Sequence, residues 1–375
     1  MIDIIADYAL PFLVILTILV FVHEWGHYFV ARRNGVRVEA FAIGFGPELF
    51  GWNAKSGTRW KFCAIPLGGY VKMFGDADPA SAGAVDDDGL SEDERRVSFH
   101  HKSLAARSAI VAAGPLANFI FAILVLAGLY MIEGRPYAPA VVDAVLENSA
   151  AERAGLQVED RIVSADGTEI SRFSDLSRIV FERPGEPIVL EVERSGVMRE
   201  LTVTPDQVTE TDRFGNEISF GRLGVQSNQM TVEKLDPLNA VLTATAETGS
   251  IIKQTLDAVG EMLIGVRGTE ELGGPLRIAE MSGTVAQSGL VMTLWFTAVL
   301  SINLGLINLF PVPILDGGHL MFYALEAVRG RPLGERAQEW ASIAGLSMVV
   351  MLMLFVTWND LMRFDIVGYI GSFIG

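Results

Sequence analysis

Apolar residues gather in four long stretches of the chain, at about 8–31, 108–132, 289–310 and 340–358. Each approaches the roughly 20 residues that an α-helix needs to cross the hydrocarbon core of a bilayer. The first stretch follows Asp3 and Asp7, without a basic segment before it or a small-residue cleavage site, so we interpret it as a retained span and not as a signal peptide. The pattern predicts an α-helical multi-pass membrane protein with four transmembrane helices in a lipid bilayer.

The segment between the first two spans has the alternation of β structure. Within 36–74, Trp60, Phe62 and Ala64 alternate with Arg59, Lys61 and Cys63, and glycines punctuate the run. We predict a membrane-associated β-hairpin here. It is either a small packing ribbon or a sheet edge that holds an extended peptide, and the sequence leaves both open. The acidic stretch at 76–96 is predicted to be a solvated loop.

The region after the second span predicts a compact β-rich domain. Asp166-Gly167 is a tight-turn signal, residues 173–181 have helical spacing, and Ser195-Gly196 turns the chain between two alternating strands. An amphipathic helix is predicted at about 240–266, packed against protein in preference to lipid. The predicted parts are a first membrane part at 1–132, the external domain at 133–227, a linker at 228–287 and a second membrane part at 288–375.

The motif His23-Glu24-Trp25-Gly26-His27 lies inside the first apolar stretch. Two histidines four residues apart share one side of a helix, so both imidazoles can bind one zinc ion. The glutamate beside them can act as general base toward a zinc-activated water. Ionisable residues in hydrocarbon are expensive and usually mark a function. The pattern predicts hydrolytic zinc chemistry within a membrane.

A second candidate segment follows the third span, at 308–319. Its prolines and glycines must break the helix, and broken backbone at membrane depth needs protein or a watery cavity around it. Asp316 would complete a catalytic site of two histidines and one carboxylate, unless it merely caps the next helix. Asn308 could bind the backbone of a substrate or the broken helix itself. His319 is expected to pack or support the site, not to bind the metal.

The formal net charge of −16 argues against nucleic-acid binding. Basic residues gather between spans one and two and between spans three and four, which predicts that both segments face the cytoplasm. The two termini and the region at 133–287 then lie outside, and the histidine motif lies near the cytoplasmic side. Cys63 is the single cysteine, so no disulfide can form within the chain.

The chain resembles the site-two protease family of intramembrane zinc metalloproteases, in the bacterial inner-membrane branch that cleaves anti-sigma factors. The resemblance covers nearly the whole chain, with the motifs in family order. The motifs that carry it are the histidine motif, Gly44-Phe45-Gly46-Pro47, Pro66-Leu67-Gly68-Gly69-Tyr70-Val71, Ala113-Gly114-Pro115-Leu116-Ala117-Asn118, Gly273-Gly274-Pro275 and Asn308 through His319. Within the external domain, Ala154-Gly155-Leu156 and Asp160-Arg161-Ile162 are similar to the landmarks of a PDZ domain.

The resemblance implies that His23, His27 and Asp316 bind Zn²⁺ and that Glu24 is the catalytic base. It also implies that the hairpin at 41–74 pairs with an unwound substrate, a single-span membrane protein of the anti-sigma factor type or a signal-peptide remnant. The residues expected to contact this substrate are Asn308, Pro311, Pro313, Gly44, Gly68 and Gly69.

Two departures from the family pattern matter. The sequence predicts one PDZ-like domain where some members have two, and Glu159 stands where the family has a glycine. Such a domain could filter substrates by size instead of binding peptides. Two other functions are weighed: a catalytically silent PDZ scaffold, and a metal transporter with a transit site. Retention of Glu24 favours the enzyme over both. The sequence predicts no oligomeric state.

Overall fold

The computed structural model describes residues 5–75, 90–211, 217–266, 268 and 273–363. The chain forms two compact units, which we call the membrane unit (Met1–Leu129 with Leu238–Gly375) and the insert unit (Tyr130–Pro237). After a π-helical turn at Ile5–Ala9, the α-helices in chain order are α1 (Leu10–Arg33), α2 (Glu92–Val97), α3 (Leu104–Ile132), α4 (Ala150–Arg153), α5 (Phe173–Phe181), α6 (Pro237–Leu263), α7 (Pro275–Gln287), α8 (Leu290–Asn308), α9 (Asp316–Arg329) and α10 (Glu335–Arg363).

Among the described residues, four helices are long and apolar enough to cross a membrane, the number that the sequence predicts. They cover Asp7–Arg33, Leu104–Ile132, Leu290–Asn308 and Arg336–Arg363. On α1, the exposed apolar residues Leu10, Val14, Ile18, Trp25 and Phe29 form one stripe. Their spacing puts them on the face opposite the two histidines. A stripe of this kind needs an apolar solvent, so the surface of α1 suits lipid.

Three helices were not predicted. Helix α2 lies in the stretch expected to be an acidic loop, and its Ser91–Glu94 capping box is a start signal that the dense charges obscured. Residues 76–89 of that stretch lie outside the described residues. Helix α7 follows α6 where one amphipathic helix was expected. Helix α9 fills most of the link between the last two spans, where Gly317 and Gly318 lower helix propensity.

The burial of α6 differs from the expectation. The apolar positions that suggested its packed face include Leu256 and Leu263, and both are exposed. The buried residues are instead Ala240, Ala244 and Thr248, a stripe of small side chains at a spacing of four. Small residues allow close packing of helices, so this narrow stripe, and not the bulky one, is the packed side of the helix.

The predicted hairpin is present as strands β1 (Val38–Asn53) and β2 (Arg59–Met73). Both strands bend, so the ribbon folds on itself. Residues 40–43 pair with 69–72 on one side and with 59–62 on the other, while 50–53 pair with 59–62. The hairpin therefore forms a sheet of four segments. Phe41, in a central segment, is fully buried and stacks on Trp60 with ring centroids 4.2 Å apart.

The insert unit contains strands β3 to β12. The turn at Asp166-Gly167, helix α5 and the turn at Ser195-Gly196 all lie where the sequence predicts them, and a four-stranded sheet has the order β6-β5-β7-β8. The strands are β3 (Arg135–Tyr137), β4 (Ala144–Val145), β5 (Arg161–Ala165), β6 (Thr168–Glu169), β7 (Ile188–Arg194), β8 (Val197–Val203), β9 (Asp206–Thr211), β10 (Glu217–Arg222), β11 (Val225–Gln226) and β12 (Thr231–Glu233).

A buried ion pair holds β5 to β7 in the insert unit. Both oxygens of Asp160 accept hydrogen bonds from Arg194, at 2.6 and 2.7 Å. Burial by itself would raise the pKa of Asp160, but the guanidinium and the N–H of Gln157 hold it below its usual value. The preceding Glu159 has φ of 71°, a left-handed conformation that explains why a glycine is usual there.

A second buried carboxylate joins α10 to α7 within the membrane unit. Asp360 of α10 is 2% exposed and accepts hydrogen bonds from the N–H groups of Gly274, Leu276 and Arg277, at 3.0 to 3.1 Å. These N–H groups lie at the start of α7, where N–H groups have no acceptor within the helix itself. A side chain from another helix therefore caps α7. A Cβ at Gly274 would lie 2.6 Å from Asp360 Oδ2, which explains the glycine.

We predict that Asp360→Asn lowers the free energy of unfolding by about 2 kcal/mol, because the amide cannot satisfy three buried N–H groups and lacks the charge. Thermal unfolding of the full chain in detergent measures this. Asp257→Asn, which removes the same charge from α6, is the matched control and should shift stability far less. Equal shifts in the two variants would contradict the capping role.

Candidate metal centre

The two histidines of α1 converge on one point. The Nε2 atoms of His23 and His27 lie 3.2 Å apart, and both residues are buried. Oδ2 of Asp316 lies 3.2 Å from Nε2 of His23 and 3.5 Å from Nε2 of His27. The structure thus brings together three potential ligand atoms, all within 4.8 Å of one another.

The first turn of α9 positions Asp316. The preceding Leu315 is extended and occupies the N-cap position. A Cβ at Gly317 would lie 2.2 Å from the carbonyl oxygen of Leu309, and one at Gly318 would lie 2.3 Å from that of Val312. The glycine pair therefore lets α9 begin tightly against the broken segment after α8. The carboxylate of Asp316 reaches the imidazoles, so capping of α9 alone does not explain Asp316.

Helix α3 forms the other wall of the site, which the sequence analysis did not predict. Nδ1 of His27 donates to the carbonyl oxygen of Ile110 at 2.9 Å, and the side chain of Asn118 lies 3.2 Å from Nδ1 of His23. Gly114 lies one turn from each of these residues. The signal available in the sequence was Asn118 itself, an amide in the middle of an apolar span.

Close approach of α1 and α3 depends on Gly26. A Cβ there would lie 2.3 Å from the carbonyl oxygen of Ala113. Helices meet this closely only where small residues line the contact. The glycine inside the histidine motif is therefore required by the packing of α1 against α3.

Glu24 lies beside the histidines and faces the sheet. It is half-buried, and the main chain of Val71 lies beside its carboxylate. A Cβ at Gly69 would lie 2.8 Å from Val20 Cγ1 and 3.2 Å from Glu24 Cγ. Gly69 thus lets β2 pack closely against α1 at the level of Glu24.

The other predicted contact residues have structural roles of their own. Asn308 ends α8, and its side chain donates to the carbonyl oxygen of Leu304 at 3.0 Å. Of the two alternatives for Asn308, this contact is a bond to its own helix and not to a substrate. Gly44 and Gly68 have φ of 85° and 105° where the sheet bends. Pro313 lies against α10, since a Cβ at Gly345 would be 3.2 Å from its Cδ.

Pro311 is exposed in the broken segment between α8 and α9. The ring of His319 faces that of Phe322, with centroids 6.4 Å apart. It is not among the three clustered ligands, in line with the packing role expected for it.

The model of peptidase family M50 matches residues 11–352 of this chain. The chain belongs to peptidase family M50. This confirms the resemblance to site-two proteases. Two proteins named "Putative zinc metalloprotease", from Rhizobium meliloti and Agrobacterium fabrum, are each 48% identical over 361 residues; they cover 95% and 94% of this chain and 96% and 95% of their own. Metalloprotease MmpA of Caulobacter vibrioides is 37% identical over 384 residues, 96% of each chain.

Among solved structures, the PDZ domain of an SdrC-like protein from Listeria innocua aligns with 25% of this chain and 99% of its own. The sequence identity is 18% and the TM-score 0.20. A score this low carries no argument, so the PDZ-like nature of the insert unit stays a prediction.

This M50 peptidase is a zinc metalloprotease, as the sequence predicts. The clustered residues fit zinc: two imidazole nitrogens and one carboxylate oxygen are the ligands of a catalytic site that keeps a position for water. The space beside the two imidazoles also depends on a glycine of α3. A Cβ at Gly114 would lie 2.2 Å from His27 Nε2 and 2.9 Å from His23 Cε1, so only glycine leaves room between α3 and the imidazoles.

We predict that Gly114→Ala weakens zinc binding about tenfold or more, because the added methyl collides with His27; overpacking costs about 1–3 kcal/mol. Zinc content and chelator competition measure the loss. Gly128→Ala, on the same helix where a Cβ meets nothing within 4 Å, is the matched control and should bind zinc normally. Normal zinc affinity in Gly114→Ala would contradict this account of the glycine.

Proposed function

We propose that His23, His27 and Asp316 hold the zinc ion, that Glu24 is the general base, and that the enzyme cleaves peptide bonds within or near transmembrane helices. The observation that carries the proposal is the convergence of these three ligands between helices with the length and apolarity of membrane spans. Zinc bound there would act as a Lewis acid and would lower the pKa of a bound water toward about 7.

Each side chain of the site has a separate role in this mechanism. Glu24 accepts a proton from the attacking water and returns it to the amine that leaves. The hydrogen bond from His27 Nδ1 to Ile110 keeps the lone pair of its Nε2 directed at the ligand cluster. Asp316 adds the negative charge that two neutral imidazoles lack.

The surface of the helices supports a substrate within the membrane. The stripe on α1 from Leu10 to Phe29 exposes large apolar side chains, and the ligands lie on the opposite face of the same helix. A peptide that approaches through lipid is itself helical, with its carbonyls in hydrogen bonds. Local unwinding must therefore precede hydrolysis.

The edge of β2 offers the unwound peptide a new set of partners. Residues 69–73 pair with β1 on one side only among the described residues, and Gly69 lies against α1 beside Glu24. Main-chain N–H groups on such an edge, with Val71 nearest the base, can bind an extended substrate as an added strand. Gly44, Gly68, Pro311, Pro313 and Asn308 are proposed to shape or contact the same path.

The proposed location, orientation and substrates follow from the family and from the distribution of basic residues along the chain. We propose a multi-pass protein of the bacterial inner membrane with both termini in the periplasm and the metal centre near the cytoplasmic side. Its substrates are single-span membrane proteins of the anti-sigma factor type, with signal-peptide remnants as a further class. The insert unit is proposed to exclude substrates that still carry large external domains instead of binding peptides, because Glu159 stands where the family pattern has a glycine.

We expect Glu24→Gln to keep zinc but to lose cleavage by about 10²-fold or more, since the amide cannot accept a proton. Activity on a single-span substrate and zinc content are measured on the same sample. Glu92→Gln on α2 is the control and should retain both. Full activity in Glu24→Gln would remove it as base, and unchanged zinc in His23→Ala or Asp316→Ala would reject that residue as a ligand.

We expect helix-breaking residues in a substrate span to speed cleavage. Each Leu→Gly change lowers helix stability by about 1 kcal/mol, so kcat/KM should rise about fivefold per change if unwinding precedes the cut. The same changes placed just outside the span serve as the control. Equal kcat/KM values for all substrate variants would contradict the proposal that the substrate unwinds at β2 before it is cut.

A further inference from the structure

Asn118 is the most deeply buried polar side chain beside the metal centre. It is 0% exposed, near the middle of α3, among apolar residues. An amide in such a place is costly unless its polar atoms find partners. Its Nδ2 lies 3.2 Å from Nδ1 of His23, while its Oδ1 is buried without a hydrogen-bond partner within the described structure.

The neighbouring histidine shows what a ligand needs. Nδ1 of His27 lies against the carbonyl oxygen of Ile110, which can only accept, so Nδ1 carries the hydrogen and Nε2 keeps its lone pair. Nε2 of His23 faces the same cluster, 3.2 Å from Oδ2 of Asp316. To bind a metal through Nε2, His23 must also carry its hydrogen on Nδ1, and that hydrogen needs an acceptor.

A half-turn of the Asn118 amide supplies the acceptor. Rotation by 180° exchanges Oδ1 and Nδ2, two atoms whose assignment rests on the hydrogen-bond network. Oδ1 then faces Nδ1–H of His23 and is no longer unpaired. The described part of the chain thus offers His23 the same support from α3 that Ile110 gives His27.

We propose that Asn118 is a positioning residue that accepts the Nδ1–H of His23 and so fixes the imidazole tautomer whose Nε2 binds zinc. This inference rests on the proposed role of His23 as a ligand. Ile110, Gly114 and Asn118 then form one stripe of α3, at a spacing of four residues, in which the outer two orient the imidazoles and the central glycine makes room for them.

The competing explanation is packing between α3 and α8. Ser301 Oγ donates to the main-chain oxygen of Asn118 at 2.9 Å, and a Cβ at Gly305 would lie 3.3 Å from Asn118 Cβ. Both contacts use the backbone or Cβ of Asn118, not its amide. A side chain of similar size without polar atoms would keep them, which separates the two explanations.

The test compares zinc affinity of the full chain in detergent by chelator competition, with kcat and KM on a single-span substrate. Asn118→Leu keeps the branching and the number of heavy atoms of the side chain but loses the acceptor, and it should bind zinc about 10–100-fold more weakly. Asn118→Asp keeps an acceptor of the same shape and should restore the affinity to within about threefold of the parent. Asn118→Ala, which also lacks the acceptor, should resemble the leucine variant and covers the case in which that variant fails to fold.

Ser301→Ala is the packing control and should leave zinc affinity unchanged. Packing alone predicts the opposite order for the others, with Asn118→Leu near the parent and Asn118→Asp impaired by a buried charge. Leucine and alanine variants with normal zinc affinity, or an aspartate variant as weak as leucine, would overturn the inference. His23→Ala in the same assay separates the failures: if it retains zinc, the proposed ligand set is wrong, and if it alone loses zinc, only the role of Asn118 is wrong.

Discussion

The structure depends on close contact between helices that carry polar groups on their inner faces. A carboxylate and two imidazoles can lie among apolar spans only if each finds a partner there. At the metal centre the partners come from three directions: α1 gives the histidines, the start of α9 gives Asp316, and α3 gives the atoms that face Nδ1 of each imidazole. Gly26 and Gly114 make the approach of α1 and α3 possible.

The same constraint explains the shape of the chain around the site. Prolines and glycines after α8 end one span and allow Asp316 to begin the next helix at the ligand cluster. The bends in β1 and β2 bring a strand edge to the level of Glu24, where a straight hairpin would have only two segments. The clustered histidines and aspartate thus come from helices, whereas the strand beside Glu24 comes from the sheet.

Much of this could be predicted because the signals are local. The spacing of His23 and His27, the four apolar stretches, and the turns around β5 to β8 each depend on a few neighbouring residues. Asp316 stood out because an acidic residue and helix breakers occur together beside an apolar span. The contacts of Asn118 and Gly114 could not be predicted, because they depend on which face of α3 meets α1. Helix α9 was missed because Gly317 and Gly318 in its first turn weaken the helical pattern.

The capping of α7 by Asp360 gives α10 a mechanical role. Near its middle, Gly345 lies against Pro313 in the segment that leads to Asp316, and some 15 residues later, about 22 Å along the axis, Asp360 holds the first turn of α7. Helix α10 therefore contacts both the segment that leads to Asp316 and the start of α7. A displacement of α7 would therefore be transmitted through α10 to the segment that positions Asp316.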